Sequence, residues 1–245
     1  MKLRNSLLLA GFTAGLAVST AHGATMIGWH YDGNGDDTLA AGDSAGVYAQ
    51  TNWNNHAGVG QGPGTTPFAL NNDDGVASGA SVTAWTLSVN NSWNHGYDSP
   101  NANEKLMGSF ADKNPSITIS FLPADFVTNG YMVVVYYGNN EGPSTSVVNL
   151  LGGTDDIASR TIITGTTELA GYRDNGFIEE TGALTGPSNY TVFTGLNDES
   201  FTISFDNDNN NGISAIQIIQ VPEPTSLGLA GVGVLMGLMK RRRKG

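Results

Sequence analysis

No cysteine occurs anywhere in the 245 residues, so no disulfide can staple this chain and its stability must come from a packed core. Positive charge is almost as scarce. Seven of the 11 lysines and arginines sit at the two ends, as Lys2, Arg4 and the run from Lys240 to Lys244. Only Lys105, Lys113, Arg160 and Arg173 remain in the segment 24–221, against 21 acidic residues, for a formal charge of −17. A domain this acidic repels phosphate backbones and anionic membrane, which excludes nucleic acid as a partner and leaves metal cations and neutral polysaccharide. A long apolar pattern of 3.6-residue period is also missing, as is any repeat of fixed length, which argues against a solenoid or propeller.

What is present is short apolar runs between clusters rich in Gly, Asn, Thr and Ser, the pattern of an all-β domain. Ser116 to Phe121 alternates Ile117, Ile119 and Phe121 against Thr118 and Ser120, and Ser200 to Phe205 alternates Phe201, Ile203 and Phe205. Tyr131 to Tyr137 is apolar on both faces, which predicts a central strand covered on both sides. Thr145 to Leu151, Arg160 to Thr164, Asn189 to Phe193 and Ile213 to Val221 complete the strands expected in the second half. Such spacing without intervening helices predicts an antiparallel β-sandwich over residues 24–220, jelly-roll-like in its connections.

The ends carry address information. Lys2 and Arg4, the apolar run Leu7 to Val18 and the small residues Ala21 and Gly23 predict a helical signal peptide over 1–23, cleaved after Gly23, with Ser19 to Ala21 as a competing cleavage site. At the other end, Pro222-Glu223-Pro224 is a rigid lead, residues 225–239 are apolar and uncharged, and Lys240-Arg241-Arg242-Arg243-Lys244 follow. A basic cluster behind an apolar segment stays on the cytoplasmic side, so whatever precedes it lies outside. About 15 apolar residues at ~1.5 Å each span roughly 22 Å, short of a hydrocarbon core of ~30 Å, so a transmembrane helix here is a marginal one.

This ordered tail, residues 221–245, resembles the PEP-CTERM sorting signal. The resemblance implies export through the secretion machinery and recognition by a membrane enzyme of the exosortase type. It implies anchoring in the inner membrane until processing, then release to a cell surface or matrix rich in extracellular polysaccharide. A second resemblance lies in Asp43 to Val47 and Gln50 to Asn55, which are similar to the "AGV" and "NWNN" that open the mature domain of a group of exported proteins with such tails.

Three local patterns could carry chemistry. Gly42-Asp43-Ser44-Ala45-Gly46 fits a nucleophile elbow, but no helical pattern follows it and a glycine-flanked turn explains it better. Asp32 to Asp43 places Asp32, Asn34, Asp36 and Asp43 at calcium-loop positions, resembling a single dockerin-like loop, so Ca2+ is the cation it would take. It departs from that loop at Asp37, where a glycine makes the sharp turn, and in ending on Asp rather than Glu. Asn- and Asp-rich turns are also ordinary between strands. Finally, Trp53 with Asn54 and Asn55, and Trp93 with Asn94, combine an aromatic face with amide donors and acceptors suited to sugar hydroxyls. The competing reading places those tryptophans in the core.

The sequence therefore predicts a non-enzymatic surface or matrix protein with glycan or calcium as candidate ligands and no required cofactor. The alternative is a secreted polysaccharide hydrolase, which would need two facing carboxylates. Glu179-Glu180 cannot supply them, because neighbours in a strand point to opposite faces.

Overall fold

Strands with one dry face pair into sheets that close on each other, and fourteen strands among the described residues, numbered in chain order, do so here. The computed structural model describes residues 24–33, 35–57, 66–86, 92–94, 101–112, 114–139, 144–152, 157–164, 176–184, 186–206 and 211–222. They belong to one compact unit, Ala24–Glu223. The expected signal segment 1–23 and membrane segment 225–239 lie outside the described residues. No helix among the described residues is long and apolar enough to cross a membrane.

The first sheet has the spatial order β11 (Glu179–Glu180), β12 (Tyr190–Leu196), β8 (Tyr131–Asn139), β14 (Asn211–Gln220), β1 (Met26–Asp32) and β2 (Asn54–Ala57). It is extended by β6 (Ser109–Ala111), which pairs with β14, and β5 (Ser92–Asn94), which pairs with β6. The second sheet has the order β10 (Ile157–Ile163), β9 (Thr145–Gly152), β13 (Phe201–Asp206), β7 (Ser116–Ser120), β4 (Ala77–Thr86) and β3 (Phe68–Asn71). The sandwich expected from the sequence is present. It is not antiparallel throughout: β1 pairs β2 in parallel, and β11 pairs β12 in parallel. A parallel pair needs a long connection, and the segment 33–53 supplies one between β1 and β2.

That connecting segment explains the second layer of packing. Between the sheets lies the main core, with Ile27, Trp29, Val133, Val135, Ile216 and Ile218 from the first sheet facing Ile117, Ile119 and Ile203 from the second. The alternate residues of the first sheet are dry as well. Val134 and Tyr136 of β8, with Ala215 and Ile219 of β14, form a second cluster with Leu39, Ala45 and Trp53 of the connecting segment and Leu106 of the short helix α1 (Ala102–Leu106). The two apolar faces of Tyr131 to Tyr137 are thus explained: one faces the other sheet and one faces this cover. The second sheet keeps a polar outer face, where Thr118 meets Thr202 at 2.8 Å and Thr83 meets Ser120 at 2.9 Å.

The cover is pinned by Trp53. Its ring lies so close over Gly28 of β1 that a Cβ there would sit 2.5 Å from Cε3, which is why that strand position is glycine. The edge of Tyr136 meets the ring at 6.3 Å, and Nε1 donates to the Gln50 carbonyl at 3.1 Å. Trp53→Ala should therefore cost about 3–5 kcal/mol, read as a lower denaturant midpoint at unchanged slope. A midpoint within error of the parent protein would show that the cover contributes little to the fold.

Candidate functional site

The Asn-Trp-Asn reading is corrected at Trp53. The residue is 4% exposed, and Gly28 and Tyr136 occupy the surroundings of its ring, so it has no free face for a sugar. Asn54 and Asn55 are likewise spent inside the fold. Asn54 donates to the carbonyls of Gly28 at 2.8 Å and Asn71 at 3.0 Å, and accepts from the Asn71 amide at 2.8 Å. Asn55 donates to the Leu39 carbonyl at 2.8 Å and accepts from the Leu39 amide at 3.1 Å. An amide side chain offers one donor group and one acceptor, as a backbone residue does, so both asparagines bind irregular backbone as a neighbouring strand would. Trp93 and Asn94 lie in β5, whose pairing places Trp93 opposite Phe110; their side chains are outside the described residues.

The calcium-loop reading meets competing contacts at both ends. Asp32 is fully buried and accepts from the Asp37 amide at 3.2 Å and from the Thr38 hydroxyl. Asp43 accepts from the Ala40 amide at 2.9 Å and pairs with Lys105 at 3.2 Å. Asp36 is exposed, and Asn34 lies outside the described residues. No group of three His, Cys, Asp or Glu side chains placed to hold a metal ion occurs among the described residues. Ser44 is exposed and flanked by turns, with no helix after it, as the turn reading expects.

The residue that departed from the calcium pattern is the one that turns inward. Asp37 is fully buried, accepts from the Ser109 hydroxyl at 2.7 Å through Oδ2, and leaves Oδ1 without a partner. Its carboxyl group rests on Gly108, where a Cβ would approach to 2.6 Å. Burial raises its pKa to about 6, with Asp32 and Asp36 acting in the same direction and Ser109 and Lys105 against it. His30 of β1 is fully buried nearby in the same layer, its Nδ1 3.0 Å from Asn55 Oδ1, and burial lowers its pKa.

A different place remains open. On the outer face of the first sheet, at its β8–β12–β11 end, a groove of about 380 Å³ has a floor of Met132, Tyr190, Val192 and Thr194. One wall is Val47 and Tyr48 from the cover; the other is Glu179 to Thr181, with Arg160 reaching over from β10. Tyr48 is 40% exposed. The Tyr190 hydroxyl donates to Glu179 Oε2 at 3.3 Å, and burial followed by the charge of Glu179 raises its pKa to about 12. Glu180 also lines the groove but is buried and committed to backbone: its Oε1 accepts from the amides of Gly182 at 2.6 Å and Leu184 at 3.2 Å. Arg160 makes no ion pair among the described residues. The sequence marked Glu179-Glu180 as a pair and Arg160 as a rare cation, but nothing in it placed Tyr48 beside them.

The raised pKa of Asp37 has a direct consequence. A carboxyl whose folded pKa lies above its unfolded value contributes stability that is fully present below the unfolded value and is lost as pH rises through the folded one. That window runs from about 4 to about 6 here. Asp37→Asn should stabilise the protein relative to the parent at pH about 7 by more than it does at pH about 4, measured as the difference in melting temperature. An equal difference at both pH values would show that the carboxyl titrates normally.

At the end of the sandwich, β14 stops at Gln220 and the Val221 amide still donates to the Gly130 carbonyl at 2.9 Å. Pro222 is exposed and cannot extend the ladder, having no N–H to give. The remaining residues of the expected sorting tail, Glu223 and Pro224 through Lys244, lie outside the described residues. No curated protein and no solved structure is significantly similar to the chain, so the likeness of residues 43–55 to an exported group rests on the sequence alone. The tail is matched: residues 220–244 fit the PEP-CTERM protein-sorting motif and mark the chain as an exported protein, processed at a membrane by an exosortase-type enzyme.

Proposed function

We propose that this is a non-enzymatic surface or matrix protein, an acidic β-sandwich carried to its place by the tail and retained among extracellular polysaccharides. The observation that carries the reading is the junction at Gln220, where the matched motif begins on the last residue of β14. Nothing separates cargo from address, and the exposed Pro222 starts the tail directly at the surface of the sandwich. Before processing, the apolar segment 225–239 holds the chain in the inner membrane with Lys240 to Lys244 on the cytoplasmic side. After it, the sandwich is free to reach the surface or matrix.

A non-enzymatic role is supported by how the acidic and histidine side chains are used. Glu180 binds two backbone amides, Asp32 and Asp43 hold turns, and His56 accepts from Trp29 Nε1 at 3.2 Å while stacking on Phe68 at 4.9 Å. A polysaccharide hydrolase needs two carboxylates free to face one bond, and of the two glutamates at the groove Glu180 is buried and bound to two backbone amides.

The sorting half of the reading is tested in a host that contains an exosortase. Replacing Lys240 to Lys244 by neutral residues should release the sandwich unprocessed, because the basic end is what halts passage. Membrane retention and tail processing at parental levels would overturn it.

A further inference from the structure

We propose that the groove beside Tyr48 is a saccharide site that takes a neutral, hydroxyl-bearing sugar ring. It rests on the preceding reading of the chain as a protein retained among extracellular polysaccharides, and it is testable in solution, where sorting plays no part.

The groove offers the three things a pyranose needs. The first is an apolar platform for its C–H face. Met132 and Val192 are half-buried in the floor and Tyr48 stands 40% exposed in the wall, with no hydrogen bond to its hydroxyl among the described residues. The second is an acceptor. Glu179 is exposed, and its Oε2 is oriented by the Tyr190 hydroxyl at 3.3 Å, which leaves Oε1 to receive a sugar hydroxyl. The third is a donor. The Arg160 guanidinium makes no ion pair among the described residues and lies against Gly182, where a Cβ would be 3.3 Å from Nη1. A saccharide hydroxyl both gives and accepts hydrogen bonds, so it satisfies a free carboxylate oxygen and a free guanidinium together, which an anion or a cation alone cannot. Two glutamates line the groove beside the one arginine in a segment of formal charge −17, and this disfavours a carboxylated sugar.

The platform is also fixed in advance. Gln217 of β14 donates through Nε2 to the Tyr48 carbonyl at 2.6 Å and to Gln50 Oε1 at 3.0 Å, while its Oε1 accepts from the Tyr136 hydroxyl at 2.8 Å. The Val47 amide in turn donates to that hydroxyl at 2.7 Å. The aromatic wall is held from beneath by two strands, which lowers the ordering cost of binding. Gln217 and Tyr136 are positioning residues for the groove.

The experiment is titration calorimetry of the full chain in detergent with neutral hexaoses of glucose, mannose and xylose, and with hexagalacturonate as the charged arm. At least one neutral hexaose should bind, with an affinity unchanged by about 0.5 M sodium chloride. Tyr48→Ala and Arg160→Gln should each weaken that binding about tenfold or more at an unchanged melting temperature. Tyr48→Phe should keep it, since the ring is what stacks. Absence of binding by every neutral hexaose would overturn the proposal, as would binding of hexagalacturonate alone with loss in salt. So would neutral binding that survives both Tyr48→Ala and Arg160→Gln. None of these outcomes bears on sorting, which the tail substitutions test independently.

Discussion

The whole arrangement follows from one demand, that the first sheet be dry on both faces. β8 and β14 present Val133, Val135, Ile216 and Ile218 to one side and Val134, Tyr136, Ala215 and Ile219 to the other. One side is met by the second sheet. The other is met by a segment rich in Gly, Asn and Asp, which has few large apolar residues to offer. Irregular backbone laid over a sheet must also find partners for its amides and carbonyls. Side-chain amides supply them. Asn54 binds Gly28 and Asn71, Asn55 binds both polar groups of Leu39, and Asn103 accepts from the Gly46 amide at 2.8 Å. Trp53 and Leu39 add the large apolar anchors.

Legibility in the sequence follows the same division. Ser116 to Ser120 and Phe201 to Asp206 show strict alternation because the outer face of their sheet is polar, so burial and sequence period coincide. Tyr131 to Tyr137 betrayed its double cover by having no polar face. The first half was opaque for a physical reason. β1 (MIGWHYD) is buried almost throughout, yet its alternate positions are Gly28, His30 and Asp32; the first two are met by Trp53, Asn54 and Asn55 from a distant stretch, and Asp32 by the turn that follows it. The asparagines around Trp53 read as ligand chemistry because an amide that binds backbone and one that binds a sugar have the same composition. The parallel pairing of β2 was hidden too, since a four-residue strand of NNHA carries no pattern. The candidate groove joins Tyr48, Arg160, Glu179 and Tyr190 from four separate stretches, and only the topology brings them together.

A cover held largely by hydrogen bonds is specific but exposed to error. In a dry layer each satisfied amide fixes a geometry, and each unsatisfied one costs free energy that apolar packing must offset. Among the described residues His30 Nε2, Asp37 Oδ1 and Gln50 Nε2 are such atoms in or under this cover. Burial pushes the pKa values of His30 and Asp37 toward the neutral form, the direction expected where a charge is taken out of water.

The position of the groove then takes on a second meaning. Its walls belong to different layers: Tyr48 to the cover, Glu179 to the edge of the first sheet and Arg160 to the second. A ligand that touches all three joins the cover to both sheets and binds only when the cover is docked. By linkage, such a ligand stabilises the docked cover in proportion to its excess over Kd. The network through Gln217 works in the same direction before any ligand arrives, since it ties the Tyr48 carbonyl to the central strand β14. That strand also runs into the sorting motif at Gln220, so one element sets the cover, the groove wall and the point where the tail departs.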